Sequence, residues 1–249
     1  APNDDANYFY GAGVGGSQVE AQNDALSKIA TRISTSVQAK TQSSLSVESR
    51  DQAETINRSF RNQIDTATKK IEFSNIKIID QKADSKQTQV VVRVSRADLV
   101  NNYRDKIKQA HFKLDQDFTF YKKQTAFQKL ASQSALVEQV AELTALLKVM
   151  DVIHPSYDKR ANEQLTQAIY QAVEQHKKSV QFVLKVDNNS KAFADIVSEQ
   201  LTTQGYTLSQ TGQGEKVIDV TMKTTATPYE FKTTNQLYAN LKMANRTTE

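Results

Sequence analysis

Gly11, Gly13 and Gly16 spell G-x-G-x-x-G, and Ser17 with Glu20 spells a capping box directly after them. In a dinucleotide-binding fold, such glycines let a pyrophosphate approach the backbone at a helix N-terminus. That chemistry also needs a buried parallel strand on either side and an acidic residue about 20 positions on to hold the ribose. No carboxylate lies between Asp24 and Glu48. The glycines therefore read as a strand-to-helix joint. Gly13-Val14-Gly15-Gly16 has the GxxG form of an RNA-binding KH loop, but it follows an aromatic strand and carries no Lys or Arg for phosphates.

Other reactive residue types are equally unmarked. His111, His154 and His176 are the only histidines, and no two share the i, i+4 spacing of a helical metal site. His111 reads as a polar position of a long helix, His154 as part of a turn before proline, and His176 as a cation near a helix C-terminus. Glu138, Glu142 and Glu163 stand in helix-surface contexts; a glycosidase pair needs no sequence proximity, so carboxylate catalysis stays open. With no cysteine, disulfides, thiolate metal sites and thiol nucleophiles are absent together. No G-x-S-x-G elbow, Walker loop or calcium loop is present. No catalytic, cofactor-binding or metal residue is nominated.

The aromatic residues Tyr8, Phe9, Tyr10, Phe112, Phe118, Phe120, Tyr121 and Phe127 could stack nucleic-acid bases or fill a core or a protein interface. The 32 basic and 28 acidic residues are interspersed, so no basic stripe accompanies those rings and the core or interface reading is favoured. No apolar run approaches the roughly 18 residues of a membrane span.

The elements that would position these residues fall into three parts. From Gly16 to Pro155 the chain has neither glycine nor proline, which permits long uninterrupted elements. Residues 1–96 read as strand, helix, strand, helix, strand, strand. The first helix starts at Ser17 with a stripe of Val19, Leu26, Ile29, Ala30 and Ile33. The polar alternation of 34–47 predicts a strand, and Ser49 to Ile71 a second helix with Ala53, Ile56, Phe60, Ile64 and Ala67 at helical spacing. Asn75 to Asp80 and Thr88 to Val94 predict an antiparallel hairpin.

Residues 97–178 predict a helical connector. About fifty residues of unbroken helix would reach roughly 80 Å, so the segment either projects or breaks, Asp115 to Thr125 being the place for a break, and a hairpin at Pro155 leads into a helix over 158–178. Residues 179–249 predict a small α+β domain: a strand at 180–186, a helix at 192–203 with Phe193, Ile196, Val197 and Leu201 inward and Gly205 as its stop, then strands at 217–225 and 237–243. The fold class expected is α+β: an N-terminal sheet with helices on one face, a long helical connector, and a small C-terminal α+β domain.

The opening Tyr8-Phe9-Tyr10-Gly11-Ala12-Gly13, the alanine-bearing helix (Ala21, Ala25, Ala30), Phe60-x-x-x-Ile64, Asn75-Ile-Lys-Ile-Ile-Asp80 and Val90-Val-Val-Arg-Val-Ser-Arg96 together resemble the Lpp-twenty-like bacterial lipoprotein family over residues 8 to about 105. A related arrangement opens a flagellar assembly protein. The resemblance implies an exported bacterial protein, periplasmic or on the cell surface and anchored in the outer membrane through a lipidated cysteine preceding Ala1. It implies no active site. The C-terminal strand-helix-strand-strand order looks like small periplasmic domains found in lipoprotein activators of penicillin-binding proteins.

The function expected is that of a non-catalytic cell-envelope lipoprotein acting as a binding or assembly factor. Its partner is an envelope protein, with no cofactor and no nucleic acid. The alternative is a peptidoglycan-acting envelope enzyme or an activator of one.

Overall fold

A computed structural model describes residues 1–48, 71–209, 217–229 and 232–244. The described residues form an α+β protein with five α-helices in all: an N-terminal antiparallel sheet, four of the helices, and a small C-terminal sheet with the fifth. The chain divides into two compact units, Ala1–Phe120 with Ser134–Gln167, and Tyr121–Gln133 with Ala168–Glu249.

The first unit is built on strands β1 (Tyr8–Gly15), β2 (Lys77–Ala83) and β3 (Thr88–Ser95), in the order β1-β3-β2, antiparallel throughout. Helix α1 (Gln18–Glu48) packs on one face. Phe9 of β1 and Val90, Val92 and Val94 of β3 are buried at alternate positions, the period-2 signature of a sheet with one covered face. Over residues 18–41 of α1 the buried residues are Ala21, Ala25, Ile29, Ile33, Val37 and Thr41, every fourth residue.

That spacing overturns the strand expected over 34–47, which is the second half of α1. Hydroxyl side chains suit this helix because they fold back onto its own carbonyls. Thr31 donates to the Ser27 carbonyl at 2.8 Å, Thr35 to Thr31 at 2.9 Å, Ser36 to Arg32 at 2.9 Å and Thr41 to Val37 at 2.8 Å. Ala39, which the alternation placed inward with Val37, is exposed. The helix expected over 49–71 lies outside the described residues except for Ile71, which is not helical.

Ser95 closes β3 and caps α2 (Arg96–Lys123), its Oγ accepting from the Asp98 N–H at 3.2 Å. Of the two alternatives for the connector, projection or a break, the chain takes the break, at Gln124 and Thr125. There Thr125 and Gln128 form a capping box for α3 (Ala126–Ile153): the Thr125 N–H donates to Gln128 Oε1 at 3.0 Å, and the Gln128 N–H to Thr125 Oγ1 at 3.4 Å. After Pro155 the chain enters α4 (Arg160–Ser179). Within the first unit the helices bury Leu99, Tyr103, Ile107, Leu114, Leu143, Leu147 and Met150 among others.

The second unit holds β4 (Gln181–Val186), α5 (Lys191–Thr203), β5 (Thr207–Leu208), β6 (Val217–Tyr229) and β7 (Lys232–Ala244), with sheet order β5-β4-β6-β7. β4 runs parallel to β5 and β6, and β6 pairs antiparallel with β7. Gly205, at φ +83, ends α5. The Tyr206 N–H reaches the Leu201 carbonyl at 3.0 Å and the Gly205 N–H that of Thr202 at 2.9 Å, a Schellman arrangement. The inward face of α5 differs from expectation. Ala194, Val197 and Leu201 pack against Val180, Phe182 and Val220, whereas Phe193 and Ile196 are exposed. Ala194, Val197 and Leu201 stand at i, i+3 and i+7 on one side of α5, and Phe193 and Ile196 fall outside that stripe.

Candidate interaction surface

The glycine joint is occupied by the protein itself. A Cβ on Gly13 would lie 1.9 Å from the Ala21 carbonyl oxygen, and one on Gly11 would lie 2.5 Å from that of Ala25. These glycines let β1 press against α1, so the space where a pyrophosphate would approach is filled by helix backbone. At the helix start the Glu20 N–H donates to Ser17 Oγ at 3.3 Å, while the Glu20 carboxylate accepts from the Gly16 N–H at 2.8 Å. The capping box thus satisfies donors that would face a phosphate.

Much of the outward edge of β1 is likewise capped by side chains. The Tyr8 and Tyr10 N–H groups donate to Asp5 and Asp4 at 2.7 and 2.8 Å, and the Val14 N–H to Asp24 at 3.0 Å. Arg32 donates to the Tyr10 carbonyl at 2.5 Å and Lys28 to that of Ala12 at 3.2 Å. The hydrogen bond from Lys28, then that from the Val14 N–H, hold the Asp24 carboxyl below the usual carboxylate range. The Asn7 and Tyr8 N–H groups do the same for Asp5.

The histidines serve packing. His111 Nδ1 lies 2.9 Å from Asn162 Oδ1, linking α2 to α4; since that oxygen only accepts, the ring nitrogen donates. His176, in the last turn of α4 as expected, is buried: its Nε2 donates to the Ala126 carbonyl at 3.0 Å, and its ring meets Tyr121 edge-on. His154 lies in the turn after α3, its N–H bonded to the Met150 carbonyl at 2.7 Å. Among the described residues no three His, Cys, Asp or Glu side chains group as metal ligands. Glu138, Glu142 and Glu163 are exposed, Glu163 lying 3.5 Å from Lys159.

The aromatic residues divide by depth. Phe9 is buried with the Arg96 guanidinium 3.9 Å from its ring centre, and Phe118 and Tyr121 are buried on α2. Burial pushes the Tyr121 hydroxyl up to about 12. Tyr8 and Tyr10 are half-buried on the sheet face opposite α1, with Arg93 4.6 Å from the Tyr8 ring centre.

Phe112 and Phe120 behave differently. They are 65% and 66% exposed. With exposed Gln116 between them they occupy i, i+4 and i+8 on α2, one outward face away from buried Leu114 and Phe118. Two large rings on one solvent-facing stripe leave apolar area uncovered, the mark of an interaction surface more than of a reaction centre. Ile107, Leu114, Phe118 and Tyr121 are buried and set the inward face of α2, and Phe112 and Phe120 fall outside it.

No family model matches the chain, and no curated protein matches it. Among solved structures, the chain is similar to the secreted protein HP1454 from the human pathogen Helicobacter pylori. Identity is 16%, the match covers 92% of this chain and 81% of that one, and the TM-score is 0.44. A likeness at that score carries no argument about this chain. No helix among the described residues is long and apolar enough to cross a membrane.

Proposed function

We propose that the protein is a non-catalytic, outer-membrane-anchored bacterial envelope lipoprotein that acts as a binding or assembly factor. The α2 stripe of Phe112, Gln116 and Phe120 is its partner-contacting surface. The observation that carries this reading is the two-thirds exposure of both rings on one helix face. Covering each would contribute about 1–2 kcal/mol, a useful anchor for a protein partner. The envelope placement is supported by the sequence pattern of residues 8 to 105 and its resemblance to the Lpp-twenty-like family.

The test replaces both rings, Phe112→Glu with Phe120→Glu. Surface changes of this kind alter stability by about 0.5 kcal/mol or less, so circular dichroism and the unfolding midpoint should stay near wild type. After mild detergent extraction of the producing cells, the wild type should sediment with a partner from the envelope fraction and the double variant alone. A cytoplasmic location would sink the envelope reading, and unchanged sedimentation of the variant would sink the surface.

A further inference from the structure

We propose that Arg93 and Lys77, on the face of the N-terminal sheet opposite α1, form a binding site for a phosphate monoester. β3 is the central strand of that sheet, and the register sets Arg93 between Tyr10 on β1 and Lys77 on β2. Val92 and Val94, on either side of Arg93, are buried, so strand alternation turns Arg93 and its two cross-strand neighbours to the other face. Two cations thus stand directly across from each other, an arrangement that is destabilising unless an anion lies between them.

Other cations of this unit have partners. Lys28 pairs with Asp24 at 2.7 Å, Arg32 with Asp4 at 3.0 Å and Lys106 with Glu72 at 3.8 Å, while Arg96 donates to the Asp5 carbonyl at 2.9 Å. The side chains of Arg93 and Lys77 make no hydrogen bond or ion pair among the described residues. The acids on this side do not fill the gap. Asp5 is taken up by the Asn7 and Tyr8 N–H groups and the Tyr10 hydroxyl. Asp80 stands opposite Val91 and pairs with neither cation.

Arg93 is fixed in place while its donors stay unused. Its guanidinium carbon lies 4.6 Å from the Tyr8 ring centre, and its Nε is enclosed without a partner. Nη1 and Nη2 are not enclosed, so the end of the fork is open to an oxyanion, whose geometry it matches. Stacking on Tyr8 orders the side chain before the ligand arrives, which lowers the cost of binding. The Tyr8 and Tyr10 rings, 6.2 Å apart, offer an apolar wall to the organic part of the ester. Two positive charges match a phosphate monoester, which carries about −2 at neutral pH, better than they match a single carboxylate.

At fixed ionic strength and neutral pH, inorganic phosphate or phenyl phosphate should raise the unfolding midpoint of the full chain, because a ligand of the folded state stabilises it. Arg93→Gln and Lys77→Gln should each weaken phenyl phosphate binding, read by calorimetry, about tenfold or more. Lys82→Gln, farther along β2 on the same face, should leave it unchanged. Without phosphate, Lys77→Gln should unfold no lower than the wild type, since it removes an opposed charge, and this separates lost binding from lost folding. Glycerol phosphate binding more tightly than vesicles of phosphatidylcholine and phosphatidic acid in equal parts assigns the site to a soluble ester; the reverse order assigns it to a lipid headgroup. No rise in the midpoint, an equal rise with acetate, or a rise that survives the joint Arg93→Gln and Lys77→Gln change would overturn the proposal.

Discussion

Glycine does two different jobs at the start of this chain, and the difference is measurable. At Gly13 an added methyl would lie 1.9 Å from the Ala21 carbonyl oxygen and 2.5 Å from the Ala25 nitrogen, both backbone atoms of a packed helix. Neither can yield without moving α1. Gly13→Ala should therefore destabilise the protein by about 3 kcal/mol in urea unfolding. Gly16 meets only the far end of the Glu20 side chain at 3.1 Å, and Gly16→Ala should stay within about 0.5 kcal/mol. Equal losses at both sites would contradict the packing account. The sequence showed that these glycines lacked a ribose-binding acid; it could not show that α1 fills the space above them, because that contact joins residues about ten positions apart across a turn.

Among the elements, α1 shows where a sequence pattern misleads. Residues 34–47 alternate polar and apolar, yet the same stretch places Val37 and Thr41 four residues apart in a stripe begun by Ala21. Both periods fit a short run. The absence of any glycine or proline and the back-bonding of Thr35, Ser36 and Thr41 to their own helix decide for the helix. The hairpin of β2 and β3 was legible because its two β-branched runs flank a polar turn. The helix break at 124–125 was foreseen only as an interval, although Thr125 and Gln128 are a capping box in plain view.

The side-chain-capped edge of β1 also carries a pH dependence. Asp5 and Asp24 have lowered carboxyl values in the folded protein. Such groups contribute stability that is fully present above the unfolded value of about 4 and is lost as the pH falls through the lowered folded values. Asp24→Asn should melt below the wild type at neutral pH, with the gap closing as the pH falls below the unfolded value of about 4 and through the lowered folded one. A gap that stays constant from pH 7 to pH 2 would show that the Asp24 charge contributes nothing to the edge.

For the whole molecule, the fold class was readable from composition and periodicity, whereas the candidate surface was not nominated. Long-range packing decides which aromatic residues a helix hides: Phe118 and Tyr121 go inward, and Phe112 and Phe120, on the same helix, stay outside. The same limit holds for Phe193 and Ile196, which lie outside the stripe of Ala194, Val197 and Leu201 that α5 packs inward. The central claim is that the protein works through the α2 stripe. The most direct measurement places a photo-crosslinking amino acid at Gln116 in the producing cell, with the same probe at exposed Glu142 for comparison. A discrete heavier adduct should form at 116, fail to form at 142, and disappear when Phe112 and Phe120 are both changed to Glu. No adduct at 116 above that at 142, or one that survives the double change, would contradict the account.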